Sequence, residues 1–278
     1  MKLIKTSGSS VNRELSRLSV LMLISFGAGV LLSDARMAGV ASFADISAAG
    51  ALSLPCCAAL FTGGLLRCIA AGTVGVNIVR LTAMLMIFIA RMFVETDSRP
   101  KLAGIITGAA AVVSGIAVAA LIGELPYKLV FYIFYGAVSG FGAYCASVAI
   151  MSIKRQRLLR LTGAYGFAYA VVYTVLIASL CSVSVGSGLM KGTTAGLMVG
   201  TAVTLMGAYC YCQAGGVLCG TLTLCGAFLA SADIGIKAAL LPISGLLVGC
   251  IRRQKPVVTA AAFLAAGFFL MVLTGTSD

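Results

Sequence analysis

Eleven apolar runs near the length of a bilayer crossing fill most of this chain: 18–33, 37–54, 55–71, 76–94, 102–122, 129–152, 161–181, 192–210, 213–230, 234–251 and 257–274. A helix rises about 1.5 Å per residue, so roughly 20 apolar residues match the ~30 Å hydrocarbon core of a bilayer. Within that core a backbone must satisfy its own hydrogen bonds, which leaves helices and closed barrels. Only 10% of the residues are charged, against about 25% in soluble domains, and so few cannot cover a water-facing surface. The sequence predicts an all-α, polytopic membrane bundle of about ten helices, within a range of roughly nine to eleven. The early runs set that range, because Asp34, Arg36, Asp45 and Arg67 interrupt them. Two of them are candidates for a hairpin or re-entrant element.

The net charge of +12 raises the question of a nucleic-acid partner, and its distribution argues against one. The basic residues cluster between apolar runs: Lys2, Lys5, Arg13 and Arg17; Arg99 and Lys101; Lys154, Arg155, Arg157 and Arg160; Arg252, Arg253 and Lys255. Short basic loops of this kind face the cytoplasm. The parity agrees, since two runs separate 95–101 from 154–160, four separate 154–160 from 252–255, and four precede residue 95. The expectation is a cytoplasmic basic segment over 1–17, a membrane domain over 18–274 in the cytoplasmic membrane, and a polar tail over 275–278. The start lacks an A-x-A exit after its apolar run, so a cleavable signal is not expected. One run follows the last basic loop, an odd ending that suggests a membrane module stopping before a final helix.

Residues 234–251 pose a smaller puzzle. Fourteen uncharged residues lie between Lys237 and Arg252, with Pro242 near their start, and fourteen residues make only about 21 Å of helix. If the helix begins near Ile234 and Lys237 snorkels outward, one slightly short span results, with Pro242 in its second or third turn.

Glycines recur at four-residue spacing: Gly104 and Gly108, Gly136 and Gly140, Gly196 and Gly200, Gly216 and Gly220, Gly245 and Gly249. This spacing puts both glycines on one helix face, where backbones approach closely without help from the hydrophobic effect. Intramolecular packing is the expected use, and a dedicated oligomer face the less favoured one.

Chemistry is sparse. There is no His, which removes imidazole metal sites. The ten cysteines lie mostly inside apolar runs as small packing residues. No P-loop, nucleophile–base set or paired intramembrane carboxylates occurs, so no catalytic, cofactor or metal site is expected. Ionisable residues at depth carry more weight, since each costs a few kcal/mol unless paired or wet. Asp45 and Arg67 form a candidate intramembrane ion pair, while Arg80 and Arg91, near the two ends of one run, are expected to snorkel to opposite faces.

GGVLCGTLTLCGAFLASADIGIKAALLPISGLLVGCIRRQKPVVTAAAFLAAGFFLMVLTG, residues 215–275, resembles the late spans of the membrane region of stage II sporulation protein E. The shared features are a glycine-spaced helix, a short loop near Ile234 and Gly235, the SGLLVG helix end at 244–249, a basic turn and a small-residue helix ending in Gly. SFGAGVLLSDARMAGVASFADISAAGAL, residues 25–52, is similar to that family's opening layout. The resemblance implies around ten spans followed by a cytoplasmic regulatory region and a manganese-dependent PP2C-type serine phosphatase that leads to activation of the forespore sigma factor. It also implies placement at the asymmetric septum of a sporulating Gram-positive cell, self-association into a homo-oligomer, and contact with septal cell-division proteins. This chain carries no aspartate-rich phosphatase domain, so the expected role is a non-catalytic anchor and localisation module. A reading from another class stays open: a small secondary transporter, or the substrate-binding membrane subunit of a vitamin importer, supported by Asp45 and Arg67 at depth.

Overall fold

The computed structural model describes residues 5–37, 40–123, 125–154, 163–184, 194–251, 257–258 and 260–265. Its elements are α1 (Lys5–Ser33), β1 (Arg36–Met37), β2 (Val40–Ala41), α2 (Ala44–Ala51), α3 (Leu54–Ala70), α4 (Ile78–Phe93), α5 (Pro100–Ile122), α6 (Leu125–Lys154), α7 (Gly163–Cys181), α8 (Ala195–Ala230), α9 (Ala232–Ala238) and α10 (Leu241–Ile251). The all-α prediction holds, apart from one minimal hairpin in which Arg36 pairs with Ala41 and Met37 with Val40. Among the described residues six helices are long and apolar enough to cross a membrane: Leu15–Ser33, Pro100–Ile122, Lys128–Lys154, Gly163–Cys181, Ala195–Ala230 and Ala232–Ile251.

Four of the expected runs differ in the structure from separate single helices. Run 37–54 is the β1–β2 hairpin followed by α2, whose eight residues make about 12 Å of helix. Leu52 and Ser53 then turn extended, and Pro55 sits in the first turn of α3, where its missing N–H costs nothing. Runs 192–210 and 213–230 form one continuous assignment, α8, that breaks at Tyr211 and Cys212; Cys212 takes φ 60° and ψ −151°. The chain reverses there, and arms 195–210 and 213–230 lie side by side: a Cβ on Gly207 would meet the Gly215 carbonyl oxygen at 2.9 Å, and one on Gly200 would meet the Thr223 hydroxyl at 3.1 Å. Run 234–251 divides into α9 and α10, which corrects the expected position of Pro242. It is the second residue of α10 rather than a break inside one helix, again where no donor is needed. Asp233 in the first turn of α9 and Lys237 in its last complement the helix dipole.

The chain forms two packing units, one of residues 1–33 and 43–169, the other of residues 34–42 and 170–278. In the first, Ile46, Leu60, Met84, Ile87 and Tyr135 make the core. In the second, Ile177, Ala208, Ala227, Leu241 and Val248 do so, with Phe263, and the Tyr173 hydroxyl lies 2.8 Å from that of Thr223. Beside these apolar cores, both units bury small polar side chains and expose many large apolar ones. Ser139, Thr107, Thr204, Thr223 and Ser244 are buried, while Phe93 and Leu121 are 84% and 87% exposed. Small residues inside and large apolar residues outside are the pattern of helices packed in lipid.

Candidate functional site

Helix ends and arginines meet in the first unit. Asp45 lies in the first turn of α2, where a carboxylate favours the helix dipole, and its Oδ1 accepts from the Ile46 N–H at 2.9 Å. Arg80, in the first turn of α4, reaches it from the side: Nε donates to Asp45 Oδ2 at 2.9 Å and Nη2 to the same oxygen at 2.6 Å. Nη1 donates to Asn77 Oδ1 at 3.0 Å and to the Ser33 carbonyl at 2.7 Å, and Nη2 donates to the Leu32 carbonyl at 2.5 Å. A guanidinium has five N–H donors, and all five are engaged. Arg80 and Asp45 are each 4% exposed.

Arg91, in the last turn of the same helix, repeats the device. Its Nη1 donates to the carbonyls of Ala49, at 2.9 Å, and Leu52, and its Nη2 to Asp97 Oδ1 at 2.6 Å. The first arginine therefore closes the C-terminus of α1 and the N-terminus of α2, and the second closes the C-terminus of α2. Carbonyls at a helix C-terminus lack intrahelical donors and carry partial negative charge. Cations at these positions supply both the donors and the opposite charge.

These contacts fix the path of the chain. Because α4 touches the start of α2 through Arg80 and its end through Arg91, the two helices run in the same direction. The start of α2 lies beside the end of α1, both held by Arg80. The chain thus goes out along α1, back along α2, out along α3 and back along α4.

Two expectations are corrected here. The partner of Asp45 is Arg80, not Arg67, which lies exposed in the last turn of α3. Arg80 and Arg91 do not snorkel; both are buried, because orphan carbonyls and carboxylates solvate them inside the unit. The sequence offered a signal for this, since Arg80, Ala83, Met84, Ile87 and Arg91 share one face of α4 and all are buried, but a helix face alone does not say whether it turns inward.

The glycine motifs meet one another. A Cβ on Gly104 would lie 2.9 Å from the Gly140 carbonyl oxygen, and one on Gly108 3.0 Å from that of Gly136. In the second unit Gly245 is held against the Gly216 carbonyl at 2.6 Å, Gly220 against Pro242 at 2.7 Å, Gly249 against Gln213 at 2.5 Å and Gly196 against the Ile177 carbonyl at 2.7 Å, each measured from an added Cβ. All ten serve intramolecular packing. A further close crossing, of Gly29 and Gly63 with the backbones of Leu60 and Phe26, joins α1 to α3 and was missed because Gly29 and Gly63 stand without a four-residue partner facing the same neighbour.

No group of three metal-ligating side chains exists among the described residues. Of the basic topology residues, Lys154 is exposed at the end of α6, whereas Arg155, Arg157, Arg160, Arg252, Arg253 and Lys255 lie outside the described residues. A small polar cavity of about 290 Å³ at the end of α4 is lined by Arg91, Glu95, Thr96 and Asp97. Compared with models of known families, with curated proteins and with solved structures, the chain matches none.

Proposed function

We propose that this chain is a non-catalytic membrane anchor and localisation module of the stage II sporulation protein E type, seated in the cytoplasmic membrane with its N-terminus inside. The observation that carries the choice between anchor and transporter is the saturation of Arg80. A substrate-binding arginine needs donors to offer, and all five here are taken by Asp45, Asn77 and two helix-end carbonyls. The pair is a fastening between helices, and it removes the feature that had favoured a transporter or vitamin-importer subunit. Intramembrane charges bonded to backbone carbonyls and to each other are a familiar structural solution.

The zigzag of the first unit accounts for the charge parity with four early passes, one of them the short, buried α2. Irregular backbone at membrane depth is tolerated when protein covers it, and α2 buries Ala44, Asp45, Ile46, Ser47, Ala49 and Gly50. With α5, α6, α7, the two arms of α8, the α9–α10 pair and the run at 257–274, the count is about ten full passes plus the short one. Self-association and contact with septal division proteins would use the exterior faces, since the close approaches of the paired glycines are made between helices of the same chain.

The test is imaging of the full chain carrying a cytoplasmic fluorescent tag in a sporulating Gram-positive cell. Enrichment at the asymmetric septum supports the reading, and an even membrane signal throughout sporulation contradicts it. Thermal stabilisation by a single metabolite, abolished by Asp45→Asn, would restore the transporter reading.

A further inference from the structure

A groove of about 600 Å³ runs along the outside of the α5/α6 pair, floored by Gly104, Gly108, Gly136 and Gly140 and walled by Ile105 and Phe141 among others. Its volume lies within the ~300–1,000 Å³ of ligand clefts. Three observations say what fills it. Its lining is apolar except at one end, where Lys101 and Tyr144 stand together. Lys101 belongs to the first turn of α5, and Val112 marks the far end. Those twelve positions make about 17 Å of helix, close to the ~15 Å of one leaflet. The groove is thus about one leaflet long, apolar along its length and cationic only at the end where the α5 span begins.

We infer that this groove binds one acyl chain of an anionic phospholipid from the leaflet on the Lys101 side, with the lipid phosphate held by the Lys101 ammonium. The glycines make the site in two ways. Their missing side chains let α5 and α6 approach within contact of each other's carbonyls, and the same absence leaves the valley beside the crossing unfilled. Ile105 and Phe141 are exposed along it and offer apolar walls for an acyl chain to lie against. A tyrosine at the headgroup level beside a lysine is the arrangement found at membrane interfaces, and a lysine near anionic headgroups gains attraction that a neutral residue lacks.

The experiment is native mass spectrometry of the full chain released from nanodiscs of equal phosphatidylglycerol and phosphatidylcholine. The expected result is preferential retention of phosphatidylglycerol, reduced about fivefold in Lys101→Gln and kept in Lys101→Arg. Lys154→Gln, about ten residues beyond the groove on the same side, leaves the preference unchanged. Ala137→Phe, at an exposed position in the groove, fills the valley and removes the bound lipid of either kind while the thermal unfolding midpoint stays near that of the parent. An equal loss of preference in Lys154→Gln and Lys101→Gln overturns the site, because it would reduce Lys101 to one surface charge among several. Lipid retention untouched by Ala137→Phe also overturns it, and if that variant instead turns a dimer into a monomer the groove is a contact between copies.

Discussion

At the scale of single residues, the buried Arg80–Asp45 pair should dominate stability. Removing one partner leaves an uncompensated charge in a water-poor interior, at a cost of about 3–5 kcal/mol. Asp45→Leu and Arg80→Leu are each expected to lower the thermal unfolding midpoint of the detergent-solubilised chain sharply. The double substitution should recover much of the loss, since neither charge then remains. Arg80→Lys should rescue little, because an ammonium has three donors and no planar fork to reach two helix ends at once. Equal, additive losses in the single and double variants would mean that the two side chains do not interact. Cys212 makes the opposite prediction. Its φ of 60° with ψ −151° lies in a region reserved almost wholly for glycine, at a cost of about 1–3 kcal/mol. Cys212→Gly should therefore raise the midpoint, and Cys212→Val should lower it.

At the scale of elements, close helix approach is the main device, and the glycine spacing that encodes it stood in the sequence. Gly140→Val should be among the most damaging single changes on α6, because the added Cβ alone would lie 2.7 Å from the Gly104 carbonyl oxygen and 3.1 Å from the Gly108 Cα. Overpacking of this kind costs about 1–3 kcal/mol or more, whereas Phe134→Val, on the exposed face of the same helix, should be nearly silent; thermal unfolding of the two variants compares them. The helix starts at Pro55 and Pro100 fit the rule that a proline's missing donor suits the first turn, whereas Pro242, expected inside one helix, instead opens α10. What could not be read was which carboxylate meets which arginine. Asp45 stands 22 positions from Arg67 and 35 from Arg80, and only the return of the chain along α2 decides between them. That return was itself hidden, since run 37–54 is apolar enough to pass for a full helix while the β1–β2 hairpin before α2 and Pro55 after it shorten the helical part to eight residues. The fold of α8 back on itself was legible as two runs, although the reversal depends on Gly207 and Gly215, which lie outside the four-residue motifs.

At the scale of the whole molecule, large apolar side chains turned outward and small polar ones turned inward, with basic clusters between the apolar runs of the sequence, together describe a chain built for a bilayer. Burial of Arg80 and Arg91 is consistent with this, since their partners are the helix ends that a membrane interior would otherwise leave without donors. The zigzag of α1 to α4 makes the sharpest claim about arrangement: it returns residues 95–99 to the side on which the chain began, with the short α2 counting as a full reversal. Reporter fusions that distinguish the two faces of the membrane test this directly, placed at the N-terminus and within 95–99, 155–160 and 252–255. The account predicts that all four report the cytoplasmic face, with a further reporter at 123–124 on the other side. A reporter at 95–99 on the face opposite the N-terminus would contradict it, because the first unit would then cross an odd number of times and the fastening of α2 between Arg80 and Arg91 would not describe the protein in its membrane.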